Sequence, residues 1–134
     1  MVNILENLIG KTITAIEDNK TELKFVDNEN NLYRFYHAQD CCEDVKIEEV
    51  IGNYEDLIGR PLTMAEEVTY DNEMPEEIPA KKDKYGSYYH GDSFTWTFYK
   101  FATVKGYVTV RWLGTSNGYY SEAVNLEIKC LTQN

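Results

Sequence analysis

The sequence predicts a predominantly antiparallel β domain, formally of the α+β class. It is expected as a compact single sheet, or a barrel-like or sandwich domain, with one or two short helices. Three observations carry that expectation. Short runs of β-branched and aromatic residues alternate with period two. Clusters of Asp, Asn, Lys and Gly punctuate them. Two long aromatic runs, Ser93 to Ala102 and Tyr107 to Leu113, flank the turn Thr103-Val104-Lys105-Gly106, which is the pattern of a hairpin.

Taken in order, Glu6-Asn7-Leu8-Ile9-Gly10-Lys11-Thr12-Ile13-Thr14 reads as a helical turn, a glycine stop and the start of a strand. Thr12 to Glu17, Glu22 to Val26 and Leu32 to His37 are three short strands separated by Asp18-Asn19-Lys20 and Asp27-Asn28-Glu29-Asn30, an antiparallel meander by the simplest connection. Val45 to Ile51 alternates as a further extended segment. Glu55-Asp56-Leu57-Ile58-Gly59-Arg60-Pro61-Leu62-Thr63 then echoes the first punctuation 49 residues later, and Met64 to Tyr70 is again a strand. Two copies are fewer than a repeat array shows, so recurrent local punctuation is the simpler reading than duplication. Asp71 to Asp92 changes character, with Pro75, Pro79, an acidic cluster and a Lys-rich run. It reads as a long mobile loop whose Tyr85, Tyr88 and Tyr89 are available to close over a ligand. In the hairpin, Phe94, Trp96 and Phe98 are expected to face the core together with Val108, Val110 and Trp112. Thr95, Thr97, Tyr99, Tyr107, Thr109 and Arg111 are then left as a polar, aromatic second face. Tyr119 to Lys129 reads as the last strand, with Val124, Leu126 and Ile128 in the core.

The 134 residues are the size of one domain, 1–134, and such a chain buries enough surface to fold without a disulfide or a structural metal. Hydrophobic residues make up 43% and there are 11 Tyr, 5 Phe and 2 Trp, which excludes wholesale disorder. With 13 Lys and Arg against 23 Asp and Glu, the formal charge of −10 repels phosphate backbones and anionic lipid. Direct nucleic-acid and membrane binding are therefore not expected, and basic partners or neutral pockets are. No signal segment opens the chain and no apolar stretch approaches the roughly 20 residues of a membrane span, so a cytoplasmic protein is expected. Cys41, Cys42 and Cys130 are odd in number, and adjacent cysteines do not bridge readily, so reduced thiols are expected.

Two stretches gather chemistry. His37-Ala38-Gln39-Asp40-Cys41-Cys42-Glu43 brings an imidazole, two thiols and two carboxylates together. His37, Cys41 and Cys42 are the types that hold zinc, yet no second ligand pair completes a site, and buried or half-exposed free thiols are the commoner outcome. A thiol nucleophile there would need His37 or the distant His90 as its base. Gly114 to Glu122 is rich in glycine, hydroxyls and rings. It reads first as a turn around Asn117-Gly118, and with Tyr99 and Arg111 beside it as a ligand-binding surface. Glu122, in register with apolar neighbours, wants Arg34, Arg111 or a backbone donor.

With the hairpin Thr95 to Thr103, with Asp56-Leu57-Ile58-Gly59 and with Ser116-Asn117-Gly118-Tyr119-Tyr120-Ser121-Glu122, the His37 to Glu43 stretch resembles an uncharacterised family of small phage and prophage proteins of Gram-positive bacteria. The resemblance covers most of the chain from Arg34 onward and implies no activity, only a non-enzymatic role countering bacterial defence. Two mechanisms follow as expectations. In the first, a nucleotide-derived signal is sequestered in a pocket by Arg34, Tyr99, Arg111, Asn117, Tyr119 and Glu122, at the interface of a homo-oligomer. In the second, the acidic protein occupies the basic surface of a defence protein, its carboxylates standing in for phosphates. An enzyme ranks third, and no cofactor is expected unless zinc binds.

Overall fold

The computed structural model describes residues 4–73, 93–117 and 120–131. Eight strands form two four-stranded antiparallel sheets: β1 (Ile13–Asp18), β2 (Glu22–Asp27), β3 (Asn31–Tyr36) and β8 (Asn125–Cys130) in one, and β4 (Asp44–Ile51), β7 (Gly106–Ser116), β6 (Ser93–Thr103) and β5 (Met64–Asp71) in the other. The helical content among the described residues is two 3-10 turns, Ile4–Leu8 and Tyr54–Leu57, so the fold is all-β in practice and no closed barrel forms. The predicted α component shrinks to these turns because Gly10 and Gly59 stop each run within a few residues. Both take the left-handed conformation, at φ +88° and +89°, that a Cβ disfavours.

The echo between the two punctuation segments is structural. They pair with each other: Thr12 bridges Pro61, the Gly10 amide donates to the Leu62 carbonyl at 2.8 Å, and the Gly59 amide donates to the Ile13 carbonyl at 2.9 Å. Under the 49-residue offset Thr12 maps onto Pro61, Gly10 onto Gly59 and Ile13 onto Leu62, so the bridge maps onto itself and the two hydrogen bonds map onto each other. The topology repeats the relation. Each half is a 3-10 turn, a three-strand meander and a fourth strand, and each fourth strand crosses over: β4 pairs with β7 of the second meander and β8 with β3 of the first. The two halves thus repeat one topology with exchanged last strands.

The sheets pack face to face through Leu23, Phe25, Tyr33 and Phe35 on one side and Tyr99, Phe101, Val108, Val110 and Trp112 on the other. Ring centroids of Phe25 and Phe101 lie 4.9 Å apart, and those of Phe35 and Tyr99 4.8 Å. Each such side chain contributes roughly 1.5–3 kcal/mol by burial, which makes this interface the main source of stability. The predicted faces of β6 are reversed by its register. Val110 lies opposite Tyr99 and Val108 opposite Phe101, whereas Arg111 lies opposite Phe98 and Leu113 opposite Trp96. Tyr99 and Phe101 therefore enter the core, and Trp96 and Phe98 are buried on the outer face with Leu113. Val124 and Leu126 pack against the core as expected, while Ile128 is exposed at the edge of its sheet. The last strand begins at Asn125 rather than Tyr119. β5 runs to Asp71, and of the predicted mobile loop, residues 74–92 lie outside the described residues. No helix among the described residues is long and apolar enough to cross a membrane.

Candidate functional site

Of the six residues expected to share a ligand, the five that are described do not converge. Arg34, on β3, belongs to a charge ladder across the outer face of the first sheet. Its guanidinium meets Glu22 at 2.8 Å and Glu127 at 3.1 Å and lies 3.8 Å above the Tyr36 ring. That pairing, with help from Lys24 and against the cost of desolvation, holds the Glu22 carboxyl below its ordinary range. Arg111, on β7, sits on the outer face of the other sheet. A bulge between Ile47 and Glu49 turns two successive acids the same way, so the guanidinium reaches Glu48 at 2.6 Å and also Glu49. Its side chain is 7% exposed and stands 5.4 Å over the Trp96 ring. Each arginine thus already serves two carboxylates, and neither is placed to receive a phosphate.

Tyr99 lies in the core between the sheets, on the face opposite Arg111. Burial, and the neighbouring Glu67 carboxylate, push its phenol far above the ordinary range. Asn117 is exposed just past β7, and Tyr119 lies outside the described residues.

Glu122 is different. It is buried and held by two hydroxyls, Thr95 at 2.7 Å and Ser116 at 2.5 Å, rather than by an arginine. The missing Cβ of Gly114 makes this possible. A Cβ there would stand 2.8 Å from both the Glu122 carbonyl oxygen and its Cβ, so only glycine lets the β7–β8 connection lie against the strand. Thr95 also reaches Asp71 at 3.1 Å, so two carboxylates share one hydroxyl. Around them opens a cleft of about 290 Å³, formed by Glu67, Thr69 and Asp71 of β5, Thr95 and Thr97 of β6, and residues Ser121 to Val124. Among the described residues, three carboxylates and four hydroxyls line it and no basic side chain does. A second hollow of about 310 Å³ on the outer face, at Ile51, Phe98, Lys100 and Thr109, gathers no comparable chemistry.

The His37 to Glu43 stretch is the counterpart of this connection in the first half. Glu43 stands six residues after His37 as Glu122 stands six after Ser116, and in each case the earlier residue donates to the buried acid. His37 Nε2 meets Glu43 at 2.8 Å and Nδ1 meets the Ala123 carbonyl at 2.6 Å. The ring thus spans the two connections, one nitrogen facing each. Glu43 also accepts the amides of Asp40 at 2.9 Å and Cys41 at 2.8 Å. With His37 the largest influence, these donors outweigh desolvation and draw the Glu43 carboxyl down to about 2. The expectation of reduced, separate thiols is corrected here, since Cys41 and Cys42 are joined as a disulfide between adjacent residues and Cys130 is the free cysteine. Bridged sulfurs are not thiolate ligands or nucleophiles. Among the described residues no group of three His, Cys, Asp or Glu is arranged to hold a metal ion. His37 and Ala38 instead pin one crossover loop to the other, and Cys41 and Cys42 lie in the turn that supports them.

What the sequence reading missed is the partnership of Thr95 and Ser116 with Glu122. The signal was present as hydroxyl-bearing residues on an inner strand face opposite apolar positions, next to Gly114.

A family model described as a domain of unknown function, DUF7448, matches residues 6–126, and the chain belongs to that family. No curated protein and no solved structure matches the chain.

Proposed function

We propose that this member of the DUF7448 family is a non-enzymatic, acidic binding module that engages a basic protein partner. Its inner-face cleft receives a lysine or arginine side chain of that partner. In the phage setting that the sequence resemblance implies, the partner is a bacterial defence protein. One observation carries the reading: Glu67, Asp71 and Glu122 face a cleft that no basic side chain lines among the described residues. An ammonium or guanidinium group brought there gains charge-assisted hydrogen bonds from groups that the fold has already positioned. The formal charge of −10 adds long-range attraction for a basic surface. Sequestration of a nucleotide fits less well, because it needs cationic partners and Arg34 and Arg111 lie on different sheets, each paired with two acids.

The test is titration calorimetry with a Lys- and Arg-rich peptide at increasing salt, on the wild-type chain and on Glu67→Gln/Asp71→Asn. Both acids are exposed and each amide keeps an acceptor oxygen for its neighbour, Tyr99 or Thr95, so the double substitution is expected to leave the fold intact, which circular dichroism checks. Affinity is expected to fall steeply with salt and by about tenfold in the variant, equivalent to about 1.4 kcal/mol. Salt-independent binding, or equal affinity in the variant, would sink the cleft reading. Tight binding of a dinucleotide that Arg34→Ala and Arg111→Ala abolish would restore the sequestration reading.

A further inference from the structure

We propose that the Cys41–Cys42 disulfide is a redox latch within the first crossover loop, so that reduction by a dithiol loosens that loop and, through its ties to the second, the wall of the acidic cleft. Both cysteines are exposed and so open to attack by a soluble thiol. The bridge lies in the loop whose amides feed Glu43: Cys41 N–H donates to one carboxylate oxygen and Asp40 N–H to the other. Glu43 in turn grips His37, and His37 holds the carbonyl of Ala123, which lines the cleft beside Glu122. A second tie runs parallel, from the Ala38 amide to the Asn125 side chain at 3.0 Å. The connection is therefore contiguous from disulfide to cleft, and the corresponding connection between β7 and β8 contains no cysteine to duplicate it.

The chemistry balances within a thiol–disulfide exchange. A thiolate of the dithiol attacks one bridge sulfur, the S–S bond breaks, and the other sulfur leaves as thiolate. The second thiol of the reductant then displaces the protein, closing the reductant to its own disulfide. Cys41 and Cys42 gain two electrons and two protons in total, and the reductant loses them. Two thiols stand at van der Waals separation instead of bonding distance, so reduction lifts the constraint that the bridge places on the Cys41 and Cys42 backbone, and on the Cys41 amide with it.

The experiment uses the full chain carrying Cys130→Ser, which removes the third thiol. Alkylation followed by intact mass counts open cysteines, and hydrogen exchange is read by NMR before and after dithiothreitol. Before reduction no alkylation is expected; afterwards two adducts are. Reduction should speed exchange of the Asp40 and Cys41 amides by about tenfold or more and that of Ala123 measurably, while the β6–β7 amides stay protected. A Cys41→Ser/Cys42→Ser variant should show the reduced pattern under all conditions. Two adducts without reductant, even after treatment with an oxidised dithiol, would overturn the latch. So would opened cysteines with unchanged exchange at Ala123, or loss of protection throughout β6 and β7. None of these readouts depends on what the cleft binds, so the latch and the binding proposal fail separately.

Discussion

Replacing Thr95 by valine exchanges a hydroxyl for a methyl of the same shape and leaves the buried Glu122 carboxylate with Ser116 as its remaining side-chain hydroxyl donor. A hydrogen bond to a charged acceptor is worth about 1.5–3 kcal/mol. For a chain of 134 residues, unfolding entropy of roughly 2.1 cal/mol/K per residue gives about 0.28 kcal/mol/K, so Tm should fall by roughly 5–11 °C. Thermal unfolding followed by circular dichroism at neutral pH measures this. The decisive control is a double-mutant cycle with Glu122→Gln. With the acceptor neutral, the hydroxyl is worth about half as much, so Thr95→Val should cost clearly less in that background. Costs that add within about 0.5 kcal/mol would refute the claim that Thr95 acts through Glu122. An unchanged Tm in Thr95→Val alone would refute the buried network altogether.

Arg111 should behave as scaffold. Removing Glu48 and Glu49 together strands a buried guanidinium, whereas Arg111→Met leaves two acids that are 36% and 50% exposed and rehydrate. Denaturant titration should therefore find the double acid variant less stable by about 1–3 kcal/mol. Glu43 has a folded-state pKa of about 2, below its ordinary 4.5, so its contribution is fully present above pH 4.5 and is lost as pH falls toward 2. Glu43→Gln should flatten the pH dependence of the denaturant midpoint across that window, and a profile as steep as wild type would remove the residue from the network. Gly114→Ala places a Cβ 2.8 Å from two Glu122 atoms and should cost about 1–3 kcal/mol in thermal unfolding, although alanine elsewhere in a strand is favoured over glycine.

Strand positions were largely legible because period-two alternation and polar turns are local properties of the chain. The meander β1–β2–β3 and the hairpin β6–β7 follow from residues only a few positions apart. The candidate site was legible only in part. Glu122 was marked by being a carboxylate in an apolar register, yet its partners come from 27 and 6 residues away on two different strands, and no local pattern names them. The arginines were visible as cations, but the acids that neutralise them were not. Glu48 and Glu49 reach Arg111 together only because a bulge puts neighbouring residues on one face, which breaks the alternation on which sequence reading depends. The adjacent cysteines were read as apart because an extended backbone points their side chains oppositely, whereas the turn that Glu43 organises brings them together.

The reversed faces of β6 show where alternation stops being informative. When one face of a strand is apolar and the other polar, burial selects the register, since a slip by one residue exposes the core set. In β6 both faces are buried: Tyr99 and Phe101 on one, Trp96 and Phe98 on the other. Hydrophobicity then cannot choose between them, and the pairing with β7, set by the turn at Val104 and Lys105, decides. That pairing places Thr95 and Thr97 on the inner face beyond the aromatic core, at the end of the sheet where Glu122 and the β7–β8 connection close over it. The acidic cleft is therefore a consequence of hairpin register. Apolar residues fill the inner face only as far as the opposing sheet covers it, and hydroxyls with carboxylates take over where coverage ends.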